Sequence, residues 1–329
     1  MAKKQPSKKQ FDWKTYSKPQ RLLTEVQEHA FGDGMLTPLL EWADSAPRVV
    51  FEIRPRAASI YCFGQPIVRV GGEGPFVAEF DPIDGGGAPE RVPLESDSDI
   101  AALIERLETL CAPIRAAADA GEVAPNRRAY LQALAASNSG SDLFRQQFVF
   151  ADIEYPYGKW RFDAVALSRS EGVTGPGGFA NPMEAIIDVR VPGQSVTGQV
   201  GLVNLASALA DFAKAVAGHH LALSRAEVGD LVDQKVRLGM LPEEIELRDV
   251  TEKLPELIVV FIGDEVMERS YDVPVNLLHE KLVARHYPTH RLSFAHVPDT
   301  HGIADVALSL SDEDLMDYRA FKAYRTAGR

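Results

Sequence analysis

Asp163 stands in the segment Arg161-Phe162-Asp163-Ala164-Val165-Ala166-Leu167, and Asp188 and Arg190 stand in Ala185-Ile186-Ile187-Asp188-Val189-Arg190-Val191. Both segments are otherwise apolar and read as buried strands. A charge inside such a strand is costly unless it is paired or bound to a metal. Residues two apart on a strand project from one face, so Asp188 and Arg190 lie side by side. Two carboxylates on neighbouring strands offer the hard oxygen ligands that Mg²⁺ takes, with Mn²⁺ as the alternative ion. An ion held there activates water and stabilises charge on a phosphate, while a neighbouring cation orients the nucleophile.

The elements that must position these residues follow from the hydrophobic pattern. Phe148 to Tyr155 and Lys159 to Leu167 read as two strands joined by a tight hairpin at Pro156-Tyr157-Gly158. A glycine-rich loop, Gly172 to Asn181, leads into the Ala185–Val191 strand. Helices are expected over Gln199 to Ala217 and Arg225 to Leu238. Glu256 to Gly263 is a near-continuous apolar strand of the kind found inside parallel sheets. A helix at Val275 to Arg285 and a strand at Leu292 to Val297 complete the series. This order predicts a mixed central sheet flanked by helices.

Upstream, Leu22 to Trp42 reads as helical pieces broken at Gly32-Asp33-Gly34. Short alternating runs at Val49–Arg54, Ser59–Phe63, Ile67–Val70 and Phe76–Phe80 predict a meander of antiparallel strands. Gly85-Gly86-Gly87 and the prolines around it read as a linker or loop, and no strand-to-helix junction follows that would make it a nucleotide cradle. Ser98 to Ala118 is a helix with Leu103, Ile104, Leu107 and Leu110 at helical spacing, and Asn126 to Gln146 is a second helix interrupted near Ser137-Asn138-Ser139-Gly140.

Taken together, these segments resemble the PD-(D/E)XK nuclease superfamily, whose core carries an Asp on one strand and (Asp/Glu)-x-Lys on the next. More narrowly, the chain is similar to a widespread group of bacterial proteins within that superfamily. Four features carry the resemblance: Phe51-Glu52-Ile53-Arg54 leading into Ile60-Tyr61 through Gly64; Ile153-Glu154-Tyr155 before Arg161-Phe162-Asp163; Asp188-Val189-Arg190; and Gly193, Gly198 and Gly201 before Asp211-Phe212. It runs from about Arg48 to about Leu282. It implies a restriction-endonuclease-like α/β core, Asp163 and Asp188 as metal ligands, Arg190 at the lysine position, and Glu154 as a further acidic site residue.

Arginine at that position departs from the pattern. Lysine can shift its pKa and help to deprotonate water, whereas arginine stays charged. Arg190 can stabilise a developing phosphate charge electrostatically, or it can pair with Asp163 or Asp188 in a site that has lost its metal. Lys159 and Arg161 share a face with Asp163 on a regular strand. Lys159, four residues away, stands roughly 13 Å along it, too far to substitute unless the strand bends.

Other signals bound the reading. The 329 residues carry a formal net charge of −12, which argues against a broad phosphate-binding surface. Lys3, Lys4, Lys8, Lys9, Lys14, Lys18 and Arg21 face a single acid, Asp12, and read either as a solubilising tail or as an arm that contacts nucleic acid. Two cysteines, Cys62 and Cys111, suit a reducing compartment and have no metal-binding spacing. The longest apolar runs fall far short of the roughly 20 residues of a membrane helix, and the N-terminus has no apolar signal region. The cytoplasm is the expected address. His219-His220 reads as a helix cap; His286, His290, His296 and His301 with Asp299 have no helical zinc spacing. No P-loop, dinucleotide fingerprint or nucleophile elbow occurs.

The expected organisation is a basic tail over 1–21, a helix plus β-rich N-terminal module over 22–97 and an α/β domain over 98–329. Two functions stand. One is a Mg²⁺- or Mn²⁺-dependent phosphodiesterase cleaving DNA. The other is a catalytically degenerate nuclease-fold protein that binds a protein partner or acts as a scaffold in a defence or DNA-maintenance assembly. The superfamily resemblance also implies that a homodimer can form.

Overall fold

The computed structural model describes residues 21–81, 88–138, 147–157, 160–169, 183–190, 221–243, 245, 255–263, 272–284, 286–297 and 314–327. It is an α/β protein that has, among the described residues, two five-stranded sheets and seven α-helices. The expected helix over Gln199–Ala217 and the glycine-rich loop lie outside the described residues, as do the N-terminal lysines and Lys159.

The first unit opens with helix α1 (Glu25–Gly32), whose start is fixed by a capping box. The Gln27 amide nitrogen donates to Thr24 Oγ1 at 3.3 Å, and the Thr24 amide donates back to Gln27 Oε1 at 3.0 Å. Helix α2 (Thr37–Ser45) follows the glycine break, with a proline in its first turn. Strands β1 (Val49–Arg54), β2 (Ala57–Cys62), β3 (Gln65–Gly71), β4 (Phe76–Phe80) and β5 (Glu90–Leu94) then form an antiparallel meander in chain order. The segment read as a linker therefore contains β5, which pairs with β4 from Glu90↔Phe80 to Leu94↔Phe76. As an edge strand, β5 tolerates Pro93.

Helix α3 (Asp97–Asp119), which the sequence reading grouped with the second domain, packs against the first sheet. Its Ile100, Leu103, Leu107 and Cys111 join Phe31, Leu39, Phe51, Ile60 and Val70 in one core.

The second unit runs α4 (Arg127–Ser137), β6 (Phe148–Tyr157), β7 (Trp160–Ser168), β8 (Met183–Arg190), α5 (Leu221–Arg237), β9 (Glu256–Ile262), α6 (Asp272–Val283), β10 (Leu292–Val297) and α7 (Tyr318–Ala327). Its sheet order is β10-β9-β8-β7-β6. Strands β6, β7 and β8 are antiparallel, and β8, β9 and β10 are parallel, so the sheet is mixed. Both faces are covered. Leu257, Val259 and Phe261 of β9 pack with Val228 and Val232 of α5, Leu278 and Leu282 of α6 and Phe321 of α7. The alternate residues Ile258, Val260 and Ile262 pack with Tyr130, Leu131 and Leu134 of α4. Burial on both faces is why this strand reads as an unbroken apolar run.

The two units meet through buried charge. Arg21, at the end of the basic stretch, is buried, and its Nη1 contacts Asp152 Oδ2 and donates to the Ile153 carbonyl at 3.0 Å. Arg54 Nη1 donates to Asp152 Oδ1 at 3.1 Å and lies 3.6 Å from Glu52 Oε2. Leu231 and Leu238 of α5 extend the first core. No helix among the described residues is long and apolar enough to cross a membrane.

Candidate functional site

The strand ladder brings the two aspartates together. Strands β7 and β8 pair antiparallel from Ser168↔Met183 to Ala164↔Ile187. Asp163 and Asp188 are the next residues on each strand. Their surroundings also break the regular alternation. Ile153 and Tyr155 of β6 belong to cores on opposite faces of the sheet, as do Ala164 and Phe162 of β7. The reversal coincides with Glu154, whose φ is +52°, a left-handed conformation uncommon outside glycine. A second irregularity, between Phe150 and Asp152, precedes it. Such distortions re-aim side chains at a sheet edge.

Two arginines from the start of α4 complete the cluster. Asn126 caps this helix, accepting from the Ala129 amide at 3.0 Å. Burial of Tyr130, Leu131 and Leu134 fixes the rotation of the helix against the sheet. Arg127 Nη2 then contacts Asp163 Oδ2 and lies 3.7 Å from Asp188 Oδ1. Asp163 Oδ2 also accepts from the Val189 amide at 2.7 Å. On the other side, Arg190 Nη2 lies 2.5 Å from Asp188 Oδ2. That contact is ionic rather than a formed hydrogen bond, because among the described residues Asp188 Oδ2 has no partner with hydrogen-bond angles. The next arginine, Arg128, donates from Nε and Nη2 to Glu154 Oε2 at 3.0 and 2.8 Å. It also stacks over the Tyr61 ring, 4.9 Å from its centroid.

The electrostatics follow from burial. The Asp163 side chain is 8% exposed. Burial, reinforced by the Asp188 carboxylate, raises the Asp163 carboxyl to about 7, against the opposing pull of Arg127 and the Val189 amide. Formally, two carboxylates face two guanidiniums, and the cluster is neutral. A divalent ion brought to Asp163 and Asp188 would stand beside the two guanidiniums, on oxygens those cations already contact. The donor set as arranged does not fit Mg²⁺ or Mn²⁺ unless an arginine leaves.

All four residues singled out in the sequence gather here, but in two groups: Asp163, Asp188 and Arg190 around Arg127, and Glu154 with Arg128. Arg127 and Arg128 were missed. Asn126 marked the helix start, but no local pattern ties its first turn to carboxylates dozens of residues away. Asp152, in an otherwise apolar strand, carries the same signal as Asp163. The Arg161 side chain lies outside the described set.

The other signals lead elsewhere. His296 is held by the Tyr324 hydroxyl, 2.7 Å from Nδ1, and by the Gly263 carbonyl, 3.1 Å from Nε2. Among the described residues no group of three or more His, Cys, Asp or Glu side chains can hold a metal. His219, His220, Asp299 and His301 lie outside them. An open groove of about 800 Å³ runs between α1 and α5, lined by Glu25, Glu28, Arg56, Asp233 and Arg237 among others; the aspartate pair is no part of its lining.

No protein-family model matches the chain, and neither a curated protein nor a solved structure matches it.

Proposed function

We propose that the chain is a non-catalytic binding or scaffold protein built on a restriction-endonuclease-like core. In this reading the acidic pair of the site is satisfied by arginines instead of a metal. The observation that carries it is the placement of Arg127 and Arg190, one on Asp163 and the other 2.5 Å from Asp188. Removing a carboxylate or an arginine from such a cluster leaves buried charge uncompensated, so its members balance one another without needing an ion. The net charge of −12 supports a protein partner over a nucleic acid.

The test is cleavage of single- and double-stranded DNA with Mg²⁺ and with Mn²⁺, by the wild type and by Asp163→Ala. The expected result is no metal-dependent cutting by either. Cutting by the wild type that disappears in Asp163→Ala overturns the reading.

One observation favours the second reading, an active metal-dependent nuclease. Asp163 Oδ2 and Asp188 Oδ1, on adjacent strands, converge on a single nitrogen of Arg127. Two carboxylates that converge on one point are what a divalent ion needs. In that reading Arg127 withdraws to admit the ion, and Arg190 supplies the cation beside it.

A further inference from the structure

We infer that Arg127 is a resident internal cation standing where a divalent ion would otherwise bridge Asp163 and Asp188, and that the β2–β3 turn of the N-terminal unit holds it there. The inference rests on the proposed metal-free reading and adds to it the device that keeps the site closed.

The contact between that turn and α4 is direct. Gly64 lies between β2 and β3 with φ +75°. A Cβ built on it would stand 2.6 Å from the Ala129 amide nitrogen and 2.9 Å from Ala129 Cβ, and would also overlap Asn126 Oδ1. Asn126 Oδ1 is the atom that caps α4. The cap of the helix carrying Arg127 is therefore seated on glycine backbone, and only a residue without a side chain permits that approach. Tyr61, three residues earlier, supplies a second hold through its ring beneath Arg128, with Arg54 5.7 Å from the same ring centroid. Arg54 in turn reaches Asp152 on β6.

Geometry makes Arg127 the movable part. Asp163 and Asp188 are fixed by their strands, and Asp163 Oδ2 is held by the Val189 amide at 2.7 Å. Arg127 sits in the first turn of its helix, with its side chain 37% exposed. Relieving the overlap of a Cβ at Gly64 shifts the α4 cap by about 1 Å, which moves the guanidinium and leaves the carboxylates in place. What remains is two convergent carboxylates with no cation between them, which is a divalent-ion site.

The experiment is thermal unfolding with and without saturating Mn²⁺ for the wild type, Arg127→Gln, Gly64→Ala and Gly239→Ala. Gly239 has a φ of +71° and open space where its Cβ would be, so it reproduces the backbone strain of Gly64→Ala without the contact. Arg127→Gln is expected to melt lower than wild type in the absence of metal and to rise by about 5 °C with Mn²⁺. Gly64→Ala should rise in the same direction by less. Wild type and Gly239→Ala should not respond, and Asp163→Asn added to Arg127→Gln should abolish the response.

A folded Arg127→Gln that ignores Mn²⁺ overturns the inference and leaves the metal-free reading intact. A wild type that responds as strongly as Arg127→Gln, with the response lost in Asp163→Asn, overturns the metal-free reading itself. A Gly64→Ala that behaves like Gly239→Ala removes the turn from the device. If Arg127→Gln does not fold, Asp163→Asn added to it is expected to restore folding, because one carboxylate is then neutralised for the one cation removed and Arg190 keeps Asp188. Failure of that rescue also overturns the inference.

Discussion

Arg54 on β1 donates from Nη1 to Asp152 Oδ1 on β6 at 3.1 Å, so a buried ion pair joins edge strands of the two sheets. Arg21 takes the other oxygen of the same carboxylate. Asp152 is 2% exposed and serves two guanidiniums that are themselves nearly enclosed. Removing it takes a carboxylate from both buried cations and leaves Arg54 with Glu52, 3.6 Å away. Asp152→Ala is expected to cost about 3–5 kcal/mol by urea unfolding. A loss below about 1 kcal/mol would show that the junction does not depend on this carboxylate.

Glu154 gives the contrasting case. Its contact with Arg128 has better hydrogen-bond geometry, yet both side chains keep about a quarter of their surface in water. Partly exposed pairs contribute little. Glu154→Gln, which keeps the shape and one acceptor oxygen, is expected to cost under about 1 kcal/mol. A loss as large as that of Asp152→Ala contradicts the ranking by burial.

The pH dependence of stability carries its own sign. The Asp163 carboxyl titrates near 7 in the fold, raised mainly by burial, against 3.8 when unperturbed. Between those values the unfolded chain has lost a proton that the folded chain keeps. The contribution of Asp163 is therefore full below about pH 4 and fades as pH rises through 7. Burial also raises the carboxyl of buried Glu52, which acts in the same direction. Urea midpoints measured from pH 4 to 8 should fall more steeply with rising pH in wild type than in Asp163→Asn. Parallel curves for the two proteins would refute this assignment.

Helix α3 offers a test of where the first unit ends. Leu107 is fully buried with Phe51, Ile60 and Val70 in the first core. Leu107→Ala is expected to cost about 2–5 kcal/mol and to loosen amide protection in the β1–β5 meander before that of β6–β10. Hydrogen exchange that loosens first in the second sheet would place α3 with the second unit.

The legible parts of the sequence were those with a strong local cause. Strand β10 has the expected bounds, Leu292 to Val297, and the glycine break at Gly32 to Gly34 separates α1 from α2. The first follows from a short apolar run, the second from two glycines in three residues. Strand β5 was hidden by Pro89 and Pro93, which read as loop although an edge strand accepts them. The partner of helix α3 was not legible, because periodicity shows which face of a helix is buried and not against what; its leucines pack onto the meander. For the site, charges in apolar strands exposed Asp163, Asp188 and Arg190. Arg127 stayed invisible because an arginine in a helical first turn is ordinary, and only the fold brings it to Asp163.

The central claim is that arginine, not metal, holds the Asp163–Asp188 pair. A crystal structure of the wild-type chain grown with Mn²⁺, with data collected for manganese anomalous scattering, tests it most directly. The account predicts the Arg127 guanidinium on Asp163 and no anomalous peak between the two carboxylates. A manganese peak bridging Asp163 and Asp188, with Arg127 turned away, would contradict it.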